Sequence, residues 1–106
     1  MKINEVVNET FTGYRVVGYD GKNYFSLYSQ EPLNLTVGQD STDDNGFYLA
    51  TTEEFATDYY TGLTDHDDAL LKYQYNINDV IKGNPNGSAG EIIVSSAKLL
   101  EINTIN

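Results

Sequence analysis

Residues 46–62 read Gly46-Phe47-Tyr48-Leu49-Ala50-Thr51-Thr52-Glu53-Glu54-Phe55-Ala56-Thr57-Asp58-Tyr59-Tyr60-Thr61-Gly62. Two periodicities meet in this stretch, and their order decides the fold class. The apolar run 47–50 is short and carries residues suited to a pleated surface, so it predicts a strand. Thr51 followed three residues later by Glu54 has the spacing of a capping box, with Ala50 and Phe55 at the flanking staple positions. Glu53 and Glu54 also lie where a helix dipole favours negative charge. Phe55, Ala56, Tyr59 and Tyr60 fall on one helical face, and Gly62 supplies a stop. The stretch predicts a strand feeding one short helix over about 52–61.

On the N-terminal side the pattern is that of strands. Residues 14–19 (Tyr-Arg-Val-Val-Gly-Tyr) and 23–28 (Asn-Tyr-Phe-Ser-Leu-Tyr) flank Asp20-Gly21, a dipeptide that tolerates the positive φ of a tight hairpin turn. Pro32 ends the second run, and 33–37 (Leu-Asn-Leu-Thr-Val) alternates apolar with polar as a half-buried strand does. Residues 38–46 have no apolar member and read as a polar loop. On the C-terminal side, 64–69 is polar, with room for a second short helical turn. Leu71, Tyr73, Tyr75 and Ile77 then recur at period two, which predicts another half-buried strand. Residues 79–82 are apolar enough to touch the core, and 83–88 form a turn cluster rich in Gly, Asn and Pro. The runs 92–94 and 97–102 complete a sheet. Hairpins, one helix and further strands make an α+β domain with a mainly antiparallel sheet of about six strands. With 106 residues and neither a repeat nor a linker, 1–106 reads as a single domain.

Composition narrows the chemistry. The chain has nine Tyr and four Phe but no Trp and no Cys. Thiolate nucleophiles, disulfides and sulfur-ligated metals are excluded together. No apolar run approaches the ~18 residues of a membrane-spanning helix, and the first residues lack the apolar core of a signal peptide. A cytoplasmic protein with no membrane partner is expected, and the Asn-x-Ser/Thr triplets at Asn8, Asn34 and Asn86 are read as chance. No Gly-rich phosphate loop, Gly-x-Ser-x-Gly elbow or Ser-His-Asp set is present.

The net charge is −10, from sixteen acidic and six basic residues. All six bases (Lys2, Arg15, Lys22, Lys72, Lys82 and Lys98) lie outside positions 23–71. That window holds Glu31, Asp40, Asp43, Asp44, Glu53, Glu54, Asp58, Asp65, Asp67 and Asp68. The flanks are neutral, so the charge is localised. Localised charge keeps a small protein dispersed, and it also presents a field to a basic partner at the cost of self-repulsion. Direct binding of nucleic acid is disfavoured by the same sign of charge. His66, set among Asp65, Asp67 and Asp68, lacks a second His or Cys, and the 40–46 stretch misses the bidentate Glu of a calcium loop. No metal site and no cofactor is expected from these residues.

The sequence Gly46-Phe47-Tyr48-Leu49-Ala50-Thr51, with Ala56 and Tyr59-Tyr60 after it, resembles small phage and bacterial domains related to the ADP-ribosyltransferase-like fold. The likeness extends weakly to Glu91-Ile92-Ile93-Val94 and the last strand, covering roughly half the chain. It implies that Arg15, after Tyr14, falls near the family's dinucleotide-gripping Arg, and Glu91 near its catalytic Glu. The sequence departs from the family in lacking a Ser-x-Ser strand and an opening His, and Ala89 stands where a second acid would precede Glu91. Size, acidity and richness in Asn and Tyr are also similar to phage inhibitors of the anti-CRISPR type.

Three functions follow as expectations. The first is a non-enzymatic, phage-encoded acidic protein that mimics nucleic acid and blocks the basic surface of a host nucleic-acid-binding protein. Its contact residues would be Asp40, Asp43, Asp44, Glu53, Glu54, Asp58, Asp65, Asp67 and Asp68. The second is an ADP-ribosyltransferase-like domain, active or catalytically dead, using Arg15 and Glu91. The third is a virion or scaffold accessory domain.

Overall fold

The computed structural model describes residues 9–87 and 89–105. Seven strands and one α-helix are present among them: β1 (Thr10–Tyr19), β2 (Tyr24–Phe25), β3 (Pro32–Leu33), β4 (Asp40–Ala50), α1 (Glu53–Tyr60), β5 (Asp67–Asn76), β6 (Val80–Lys82) and β7 (Glu91–Ile105). Every pairing is antiparallel. The architecture is α+β, as the alternation of periodicities requires.

The sheet runs β3-β2-β1-β4-β7-β5, and β1 pairs with β5 as well, so β1, β4, β7 and β5 close on themselves while β2 and β3 extend from the end of β1. The seam on the two sides of β1 is unequal. Ten residue pairs join β1 to β5, from Thr10↔Asn76 to Tyr19↔Asp67. A single pair, Tyr14↔Ala50, joins β1 to β4. Curling this tight needs local breaks in the ladder, and β7 supplies them against three neighbours. Opposite β5 the register steps from Lys72↔Glu101 to Tyr73↔Leu99, leaving Leu100 as the extra residue.

The curled sheet has a core on each face. Leu71, Tyr73 and Tyr75 of β5 face inward with Val17, Leu49, Ile92, Val94 and Leu99, as the period-two pattern predicts. The opposite face buries Val16, Ala50, Ala56 and Leu70, with Phe55 and Tyr60 of α1 packed on them. Residues Val16 and Val17 thus bury on opposite faces, which is why β1 reads as an apolar run there. Gly13 is needed because a Cβ would meet Leu49 Cδ1 at 2.9 Å.

Several local expectations are corrected. The helix is capped by Thr52, whose hydroxyl accepts from Phe55 N at 3.1 Å, and not by Thr51. The third helical residue is then Phe55, so no capping box with Glu54 forms. Asp20-Gly21 does turn the first hairpin, but over four residues: the Asp20 carboxylate accepts from the Lys22 and Asn23 amides at 2.9 and 2.6 Å. Those two bonds hold its carboxyl below the ordinary carboxylate range. The alternating 33–37 segment contributes only Leu33 to a strand, because β3 finds pairing only with Tyr24–Phe25. The polar loop 38–46 is strand from Asp40 onward, with 43–46 bulging out where one β7 residue faces four. Gly46 closes this bulge at φ 86°, where a Cβ would collide with Ile93 and Ile81. The two expected final strands are one, β7, and the extra helical turn falls at 77–79, not 64–69. Of the Asn-x-Ser/Thr triplets, Asn8 and Ser88 lie outside the described residues. No helix among the described residues is long and apolar enough to cross a membrane.

Candidate functional site

Because β1 touches β4 only at Tyr14↔Ala50, the two strands diverge beyond that point and a cleft opens between them. Its volume is about 330 Å³, within the range of small-molecule sites. Tyr14, Arg15 and Val16 line it from β1, and Tyr48 and Ala50 from β4. The segment after β2 supplies Ser26, Leu27 and Tyr28, α1 supplies Tyr60, and Glu91 stands at the start of β7. The walls are therefore mainly tyrosine and aliphatic, with Arg15 and Glu91 among the lining residues.

Local sequence explains how each group arrives there. Arg15 is placed by the long β1–β5 ladder, opposite Leu71. Glu91 is placed by its register with Ala50. Ala50 thus pairs with Tyr14 on one side and Glu91 on the other, and this one residue links the strands that carry Arg15 and Glu91. Tyr60 reaches the cleft because α1 lays Ala56, fully buried, against Ala50 and Val16. Tyr28 and Tyr48 are 80% and 60% exposed and stand at the rim.

The Arg15 and Glu91 side chains make no hydrogen bond or ion pair among the described residues, where the Lys72–Glu101 bridge at 3.8 Å is the one ion pair. A guanidinium with no partner is free to pair with an anion, and its fork matches phosphate or carboxylate best. Tyrosine faces stack on planar rings. The unpaired carboxylate can accept from hydroxyls or stabilise positive charge. Together these groups suit a ligand that joins a flat ring, hydroxyls and an anion.

The nine acids singled out for a basic partner divide into two regions. Asp40 lies opposite Lys98 in register, and Asp43 and Asp44 occupy the exposed bulge that follows. Glu53, Glu54 and Asp58 are exposed on α1. Seven residues of β7 separate Lys98 from Glu91, the partner of Ala50. Asp40 is accordingly about 23 Å from the helix start along the sheet, and the bulge, opposite Ser95, about 13 Å from it. Asp65 and Asp67 are exposed near the far end of the helix, while Asp68 is buried and accepts from Gly62 N at 2.9 Å. His66 stacks on Phe25, with ring centroids 4.8 Å apart. No group of three or more His, Asp or Glu side chains able to hold a metal ion occurs among the described residues.

Residue-by-residue reasoning missed the tyrosine lining. Tyr14, Tyr28, Tyr48 and Tyr60 come from four separate segments, and only the long-range pairing gathers them. The chain matches no family model, and no curated protein or solved structure matches it significantly.

Proposed function

We propose that the cleft between β1 and β4 binds a nicotinamide dinucleotide, and that the chain is an ADP-ribosyltransferase-like domain. The supporting observation is that Arg15 and Glu91, from the first and last strands, both line one tyrosine-rich cavity. In this reading Arg15 holds phosphate and the tyrosines stack on the planar ring. Glu91 faces the ribose, where a carboxylate stabilises the positive charge that grows as the ring departs. Incubation with labelled dinucleotide tests it, comparing the native protein with Arg15→Ala and Glu91→Ala. An active domain transfers or hydrolyses the label, and loses that activity by at least about a hundredfold in Glu91→Ala. A catalytically dead relative binds without turnover. Absence of both binding and turnover rejects the reading.

A second reading is favoured by the lack of any ion pair to the ten central acids among the described residues. In it, the acidic surface of a phage-encoded inhibitor occupies a basic surface of a host nucleic-acid-binding protein. The exposed groups that would act are those of the 40–44 bulge and of α1. Capture of a basic partner at low salt, lost on raising the salt and on Asp43→Lys with Asp44→Lys, supports it. Capture indifferent to both rejects it.

A further inference from the structure

Glu91 is the first residue of β7 and is exposed, and Gly90 before it belongs to no strand. Strand ends fray unless the residue outside the ladder is tied down. Here that residue is Gly90, and it is tied twice to Thr51. Thr51 N donates to the Gly90 carbonyl at 2.8 Å, and Gly90 N donates to the Thr51 hydroxyl at 3.0 Å. The first bond continues the β4–β7 ladder. The second replaces a ladder bond, with a side-chain oxygen standing where a strand carbonyl would stand. Thr51 can serve this role because its neighbour Thr52 caps α1. The two adjacent threonines thus divide the work between the helix and the cleft.

We infer that Thr51 is a positioning residue for Glu91: its hydroxyl fixes Gly90 and so holds the Glu91 carboxylate at the mouth of the cleft. The inference rests on the dinucleotide reading of that cleft, but the bond itself can be measured without it. Thr51→Val keeps the β-branched shape and removes the acceptor, whereas Thr51→Ser keeps the acceptor. Amide hydrogen exchange is read at Gly90, with Ile92 and Val94 of the buried β7 core as controls for the overall fold.

In Thr51→Val the Gly90 amide should exchange about tenfold faster, with Ile92 and Val94 unchanged, and Thr51→Ser should restore protection. With dinucleotide, Thr51→Val should lower kcat by about tenfold while KM stays near the native value, and Thr51→Ser should recover it. Unchanged Gly90 exchange in Thr51→Val overturns the inference, as does an equal loss of turnover in the Val and Ser variants. If the native protein neither binds nor turns over dinucleotide, the enzymatic reading fails. The exchange arm then decides alone: serine-rescued loss of Gly90 protection supports the tie, and unaltered protection overturns it.

Discussion

Two tyrosines of β5, two residues apart, enter the same core with different consequences. Tyr73 is fully buried, and its hydroxyl has no hydrogen-bond partner. A buried hydroxyl without a partner costs stability, so Tyr73→Phe should raise the free energy of unfolding by about 1 kcal/mol in a urea titration. A loss of stability would mean that the hydroxyl is bonded. Tyr75 is stacked on Phe11 with centroids 5.8 Å apart, and burial pushes its phenol from 10.0 up to about 12. Folding therefore favours the protonated phenol. Its contribution is complete below about pH 10 and is lost as pH rises from there through about 12. Circular dichroism against pH should show native structure weakening over that interval. Tyr75→Phe should flatten this alkaline limb; an unaltered limb would place the effect elsewhere.

At the scale of elements, α1 has eight residues, too few to hold together alone. It is kept by the Thr52 cap, by Glu53 and Glu54 in its first turn, and by the burial of Ala56 against Val16, Ala50 and Leu70. Thr52→Ala should cost about 1 kcal/mol, read as a lower Tm, and Thr51→Ala should leave the cap bond intact. Much of this element was legible: its length, its acidic first turn and most of its apolar face follow from local spacing, although Tyr59 of that face is 64% exposed. The cap was misassigned by one residue because two threonines stand side by side and both have a productive use. Only the partner 39 positions away, Gly90, decides which does which. The same limit explains the misread 38–46 stretch. Its residues are polar because most of them are exposed, yet backbone pairing with β7 makes Asp40 to Thr42 strand regardless of side-chain polarity.

For the whole molecule, the class of fold and the inward face of β5 were legible, whereas the curling of the sheet was not. Closure depends on β1 pairing with both β5 and β4, and nothing in the local pattern of 10–19 announces two neighbours. The cleft follows from that closure, since it lies where β1 and β4 part company after Tyr14↔Ala50. Arg15 and Glu91 were named from a resemblance, and the lining tyrosines emerge only from the assembled sheet. The acidity that dominates the composition is spread over the surface, with the α1 group beside the cleft and the bulge group further along β4.

In the proposed reading the cleft is a dinucleotide site gripped by Arg15. Titration of nicotinamide dinucleotide into isotopically labelled protein, followed by amide chemical shifts, tests it directly. Saturable shifts are expected at Tyr14, Val16, Ala50 and Glu91, with affinity reduced at least about tenfold in Arg15→Ala. Shifts confined to other parts of the surface, or equal affinity in the native protein and Arg15→Ala, would contradict it.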